Sequence, residues 1–292
     1  METSELIKKV RKIEIKTKGL ISEVFSGSYH SAFKGKGMTF SEFREYQHGD
    51  DIRNIGWKQT ARFNHPFVKV FEEERELTVM LLVDISASGS FGTKVQLKQE
   101  LITEICAVVS FSAIQNNDKI GVIFFTDKIE KFIPPKKGKS HILRIIRELI
   151  EFTPEHTQTD ISQVLKYFTN VIKKRSVAFL ISDFEDKNDY SKALKIANSK
   201  HDMVALRIYD KREKVMPNVG MVKMMDAETG EKIWVDTSSK DVRAYFEKYN
   251  LEKEKNIHET LKKSGIDFAP IATDENYIQP LINLFKRRER AS

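Results

Sequence analysis

Cysteine occurs once in this 292-residue chain, at position 106. No intramolecular disulfide can form, and a reducing compartment, the cytoplasm, is the natural setting. Followed by A-V-V-S-F-S-A-I, Cys106 reads as an inert core thiol. No run of about 18 apolar residues is present to cross a bilayer, and the opening M-E-T-S-E-L-I-K-K-V-R-K has no apolar leader core. Neither export nor membrane spanning is expected, so any membrane association is peripheral and made through partners. Charge of a single sign does not dominate either: 49 Lys and Arg stand against 42 Asp and Glu, a net of +7. The basic clusters Lys8 to Lys18 and Lys286 to Arg290 carry no interleaved aromatic residues for stacking bases. They read as solvated faces, and no specific nucleic-acid binding is expected. Catalytic signatures are also missing. There is no G-x-S-x-G elbow and no H-E-x-x-H helix, and S-G-S-F-G-T-K at 88–94 lacks phosphate-loop spacing.

What is present is a globular composition, 40% hydrophobic and 31% charged. The stretch L-T-V-M-L-L-V-D-I-S-A-S-G-S, from Leu77 to Ser90, runs apolar without alternation into Asp84. That pattern predicts a strand buried on both faces, as in the middle of a parallel sheet. Further buried strands are expected at 120–125, 177–182, 203–208 and 266–271, with an alternating edge strand at 128–133. Helices are expected at 95–116, 141–152, 161–172, 187–199, 241–264 and 276–287. Alternating strands and helices imply an α/β fold with a doubly wound, mostly parallel sheet. Residues 219–236 read as an inserted β-hairpin with its turn at 227–230.

Upstream, Leu6, Val10, Ile13, Thr17, Leu20 and Val24 form one apolar stripe if residues 3–26 are helical. The block from Gly27 to Arg62 is punctuated by glycines and reads as loop-rich. Its Phe33, Phe40, Phe43, Tyr46 and Trp57 could build a satellite core. Arg44, Asp50, Asp51, Arg53 and Arg62 would form either a salt-bridge network or an interaction face. Phe67 to Phe71 alternates as a strand. Two parts follow: an N-terminal helix with a loop-rich subdomain over 1–76, and an α/β domain over 77–292.

The chemistry concentrates at strand ends. Asp84, Ser86 and Ser88 offer three oxygen ligands within five residues, and hard oxygens select Mg²⁺. A second central strand, V-A-F-L-I-S, delivers Asp183, and the threonine-bearing loop Thr157 to Thr159 falls between the two in sequence. Ligand crevices of open α/β sheets lie at such carboxyl ends.

With D-I-S-A-S and I-S-D in place, residues 77 to about 285 resemble a von Willebrand factor A domain. Asp84, Ser86, Ser88, Thr159 and Asp183 match the metal-ion-dependent adhesion site of that family. Where the family often has paired glycines before the loop threonine, this chain has Thr157 and Gln158, so Thr157 competes with Thr159. Gly89 stands where methionine is common. The upstream block F-K-G-K-G-M-T-F-S-E-F-R-E-Y-Q-H-G-D-D-I-R-N-I-G-W-K-Q-T-A-R, together with the hairpin M-D-A-E-T-G-E-K-I-W-V-D, is similar to a bacterial domain-of-unknown-function family associated with MoxR-type AAA+ ATPases. The resemblance implies Mg²⁺ (or Mn²⁺) held by Ser86 and Ser88 directly and by Thr159 directly or through water, with Asp84 and Asp183 as outer acceptors. It further implies a non-catalytic module that grips a partner carboxylate, serving a MoxR-type ATPase and a client protein as adaptor or assembly factor. Two alternatives stand beside it. In a metal-dependent phosphatase or hydrolase Asp84 would be the nucleophile, although such sites want a second carboxylate where Ser86 stands. The other is a metal-free scaffold.

Overall fold

The computed structural model describes residues 10–11, 13–14, 38–73, 76–87, 97–225 and 232–291. They fall into two compact units, Lys34–Leu77 and a larger one made of Met1–Phe33 with Thr78–Ser292. Of the stripe expected over 3–26, residues 10, 11, 13 and 14 are helical and the remainder lies outside the described residues.

In the smaller unit β1 (Met38–Glu45) pairs antiparallel with β2 (Phe67–Glu73), and between them lie a short 3-10 turn at Ile52–Asn54 and α1 (Trp57–Phe63). The block expected to be loop-rich thus carries a strand that its sequence hides, because the β1 register slips between Phe40 and Glu42 and breaks the period of two. Arg44 donates to both oxygens of Asp50, at 2.8 and 2.6 Å, and the Gln47 amide donates to the same carboxylate. The guanidinium holds the Asp50 carboxyl below its ordinary range. Asp51 instead accepts from the backbone and side chain of its neighbour Arg53 on the exposed 3-10 turn. Arg44 and Asp50 therefore tie the β1 exit to the following loop, whereas Asp51 and Arg53 form a local cap. Arg62 sits over the Phe63 ring. Trp57 does not join a satellite core: at the first position of a seven-residue helix with no buried residue, it is 72% exposed.

The larger unit runs β3 (Thr78–Asp84), α2 (Lys98–Gln115), β4 (Lys119–Phe125), β5 (Ile129–Lys136), α3 (Lys139–Glu151), α4 (Ile161–Val171), β6 (Val177–Ser182), α5 (Ser191–Lys200) and β7 (Asp202–Tyr209). It continues with β8 (Met221–Met225), β9 (Lys232–Asp236), α6 (Lys240–Lys263), β10 (Asp267–Ala272) and α7 (Ile278–Ala291). Six strands form one sheet in the order β10-β7-β6-β3-β4-β5, parallel except for the edge strand β5. The doubly wound α/β architecture expected from alternating apolar runs and amphipathic segments is the one present. β3, β4 and β6 bury nearly every side chain, as strands covered by helices on both faces must. β8 and β9 make the hairpin, whose turn lies outside the described residues.

One helix starts later than its pattern suggests. α5 begins at Ser191, because Asp186 and Asp189 capture the Asn188 and Ser191 amides and the second Asp186 oxygen takes the Ile161 amide. Carboxylates that bond the backbone locally compete with helix formation. α4 is capped by Asp160, which accepts from the Gln163 amide.

The winding fixes where a ligand can enter. From β3 the chain moves to β4 and β5 on one side and then returns to place β6 on the other. The reversal leaves a crevice beyond the carboxyl ends of β3 and β6.

Candidate metal centre

β3 and β6 are parallel neighbours with Val83 opposite Ile181, so Asp84 and Ser182 leave the sheet side by side. The Ser182 hydroxyl donates to Asp84 Oδ2 at 2.6 Å, and the Ser86 amide donates to Asp84 Oδ1 at 3.0 Å. Ser182 Oγ also accepts the Phe184 amide at 2.9 Å. That bond helps hold Phe184 at φ 63°, a left-handed conformation that costs an ordinary residue about 1–2 kcal/mol. Strain of this kind collects at functional sites. Between the two, Asp183 accepts from the Glu185 amide at 3.1 Å and from the Lys98 ammonium at 3.2 Å.

Asp84, Ser86 and Asp183 are all buried. Burial first, and then the charge of Asp183, push the Asp84 carboxyl up to about 7 against the opposing hydrogen bonds from Ser182 and Ser86. Lys98 supplies one positive charge to the pair, on the Asp183 side.

The loop after α3 reaches the same edge of the sheet. Thr157 accepts the Ala87 amide through its carbonyl at 3.1 Å, and the Asp160 amide donates to the Thr126 carbonyl at the β4 end, also at 3.1 Å. Thr159, between these anchors, is buried, and its hydroxyl oxygen has no hydrogen-bond partner. Thr157 is exposed and, with Asp84, Ser86 and His156, lines a cavity of about 250 Å³. A larger cleft of about 650 Å³ between residues 184–190 and α6 includes none of the five expected ligands. Ser88 lies outside the described residues.

Four expected ligands are thus placed at one edge of the sheet, and three of them, Asp84, Ser86 and Asp183, are brought together at the crevice. A hard divalent cation fits this donor set of carboxylates and hydroxyls. The orphaned Thr159 hydroxyl is the specific sign, since a buried hydroxyl without a partner carries an uncompensated desolvation cost. Among the described residues there is no cluster of three or more His, Cys, Asp and Glu able to hold a metal. Thr159→Val should stabilise the metal-free chain by about 1 kcal/mol while weakening Mn²⁺ binding about ten-fold. Thermal denaturation in EDTA and calorimetry check the two halves; a loss of stability in EDTA would mean that the hydroxyl does have a partner.

Two participants escape sequence reading. Ser182 looks like the last residue of an apolar run, and its bond to Asp84 exists only because β3 and β6 are neighbours. Lys98 looks like one of many helix lysines. It did leave a trace, standing three, four and seven residues before Leu101, Ile102 and Ile105, within the buried stripe of α2.

Comparison with known proteins follows the same lines. A family model described as "Protein of unknown function DUF58" matches residues 42–256. The uncharacterized protein Rv1480 of Mycobacterium tuberculosis is 25% identical over 296 residues, covering 100% of this chain and 92% of the relative. Among solved structures, an aerotolerance-related membrane protein from Bacteroides fragilis aligns with a TM-score of 0.51 at 15% identity, over 74% of this chain and 100% of that one. The SpRpn10 VWA domain aligns at 0.39 with 11% identity, over 71% and 94% of the two chains. The doubly wound, mostly parallel α/β sheet is the fold class that the resemblance implied.

Proposed function

Since the chain belongs to the DUF58 family, we propose that it is a non-catalytic protein-interaction module whose edge at Asp84, Ser86, Thr159 and Asp183 holds Mg²⁺ or Mn²⁺ and through it a partner's carboxylate. A von Willebrand A-like fold suggests an interaction module. The finer reading is supported by the buried Asp84–Asp183 pair at a topological switch point, and by an orphaned threonine hydroxyl in the loop that reaches the same edge of the sheet. A bound divalent ion would supply an electrophilic position open to a carboxylate oxygen. The chain's own groups orient the donors: Ser182 and the Ser86 amide fix both oxygens of Asp84, while Lys98 and the Glu185 amide fix those of Asp183.

The same bonds argue against Asp84 as a phosphoryl-accepting nucleophile, because both its oxygens are engaged and a serine stands two residues on. Hydrolysis of generic phosphatase substrates that disappears in Asp84→Ala would overturn the non-catalytic reading.

The partners proposed are a MoxR-type AAA+ ATPase and a client protein, with this chain as adaptor or assembly factor in the cytoplasm. Among the described residues, no helix is long and apolar enough to cross a membrane. A pull-down with the ATPase and cell extract, in Mg²⁺ against EDTA, tests the scheme. Wild type should retain an acidic-surfaced client only in Mg²⁺, and Asp84→Ala should retain none in either; equal capture in all arms would refute it.

A further inference from the structure

Lys98 is 2% exposed, and its ammonium lies 3.2 Å from Asp183 Oδ2 and 2.6 Å from Glu213 Oε1. It stands at the first position of α2, on a helix whose flanking positions Leu101, Ile102 and Ile105 are buried. An ammonium in that stripe has a desolvation cost that a methionine would not have, and apolar replacements of buried ion pairs are often no less stable. Packing alone therefore does not account for a lysine here.

The surroundings of the pair are specific. Glu213 also accepts the Asp210 amide, and Asp210 in turn accepts the Thr273 hydroxyl, so the acceptor on the far side of Lys98 is itself anchored to the tips of β7 and β10. Lys98 is thereby held from behind, and one oxygen of Asp183 is turned toward it.

We propose that Lys98 is the positioning residue of the metal centre: by occupying one oxygen of Asp183 it keeps that carboxylate an outer acceptor, which lowers intrinsic metal affinity and leaves the bound ion electrophilic enough to take a partner's carboxylate. The proposal rests on the metal reading above and adds what sets its strength. Asp183 and Glu213 contact the ammonium and Glu185 adds to the negative field around it, while Asp84 acts on Asp183 by charge, so the single positive charge of Lys98 does not balance the carboxylates at this edge. Without Lys98, Asp183 Oδ2 loses its ammonium partner and is drawn more strongly toward a bound cation. Metal binding then tightens, and the capture of an external carboxylate weakens. These opposite signs separate positioning from a merely structural role, whose loss would weaken both.

Calorimetry with Mn²⁺ on the full chain, followed by acetate titration of the Mn²⁺-loaded protein monitored by water-proton relaxation, reads both effects. Lys98→Met, which removes a positive charge beside the site, should bind Mn²⁺ about ten-fold more tightly than wild type and acetate several-fold more weakly. Glu213→Gln, which removes the carboxylate charge that competes with Asp183 for the ammonium, should bind Mn²⁺ about three-fold more weakly. This second variant decides the matter if Lys98→Met does not fold. Unchanged or weaker Mn²⁺ binding in Lys98→Met, or unchanged or tighter binding in Glu213→Gln, overturns the proposal while the metal centre stands. Absence of Mn²⁺ binding in wild type and both variants refutes the metal centre itself.

Discussion

Asp84→Asn should melt at a higher temperature than wild type in EDTA at pH 8, and should lose the stabilisation that wild type gains from Mg²⁺. The Asp84 carboxyl is pushed up to about 7, chiefly by burial and then by the charge of Asp183. In the unfolded chain it titrates near its ordinary value of about 3.9. Between these values the folded chain keeps a proton that the unfolded chain has released, so stability falls as pH rises from about 4 to 7 and levels off above. Three pKa units set an upper bound of about 4 kcal/mol, and relaxation and water entry bring the expected gain from removing the charge to about 2 kcal/mol. For a chain of this size that is a rise of roughly 4–6 °C. Asparagine keeps an acceptor for the Ser86 amide and can donate to Ser182 in return, so both hydrogen bonds survive.

The pH and metal arms make the result specific. Lowering the pH from 8 to 5 should narrow the gap between the two proteins by more than half, because wild-type Asp84 is then protonated when folded. Mg²⁺ at 100 times its dissociation constant should stabilise wild type by about 2.7 kcal/mol and the variant hardly at all. Differential scanning calorimetry covers all four conditions. A variant less stable than wild type in EDTA at pH 8, with an unchanged Mg²⁺ response, would show that Asp84 is a structural acceptor and no metal ligand.

Thr159→Val shares this logic, since both sites hold groups that destabilise the metal-free chain. In D-I-S-A-S and V-A-F-L-I-S-D the strand tips were legible because an apolar run without alternation has few structural solutions, and a carboxylate at its end must lie at the sheet edge. The strand order was not legible. Nothing in residues 177–183 says that β6 lies beside β3, yet the Ser182–Asp84 bond and the mutual repulsion of Asp84 and Asp183 depend on it. Lys98 was hidden for a related reason: its partners are 85 and 115 residues away in sequence, one of them on a 3-10 turn after β7. Thr157 and Thr159 differ in burial, with Thr157 exposed on the cavity beside Asp84 and Thr159 buried, a difference that local sequence does not show. Trp57 shows the opposite failure, where an aromatic side chain suggested a core in a unit too thinly layered to cover it.

Gly121→Ala should be the most destabilising small change in the sheet and should leave the metal centre nearly untouched. Gly121 lies in β4 opposite Met80 of β3, where β5 slips register so that Ile120 faces Lys136 and Val122 faces Ile133. The intervening Pro134 and Pro135 suit an edge strand, where a missing donor blocks further pairing. A Cβ on Gly121 would lie 2.8 Å from the Pro135 nitrogen, 2.9 Å from the Ile133 carbonyl oxygen and 2.9 Å from Met80 Sδ. Two of these neighbours are backbone and cannot swing aside, and the third is buried in the core. Either β5 lifts from β4 or Met80 is displaced, at a cost of about 3 kcal/mol, which lowers the melting temperature by roughly 6–9 °C. The far end of β4 carries the site, through the Phe125 carbonyl that accepts the Ile85 amide and the Thr126 carbonyl that accepts the Asp160 amide. Four residues of intact β3–β4 ladder separate that end from Gly121. Below the melting transition, then, Mn²⁺ affinity should change by less than about three-fold, the reverse of the pattern expected for Asp84→Asn. Should Gly121→Ala prove as stable as wild type, β5 would not be seated on β4 in this register.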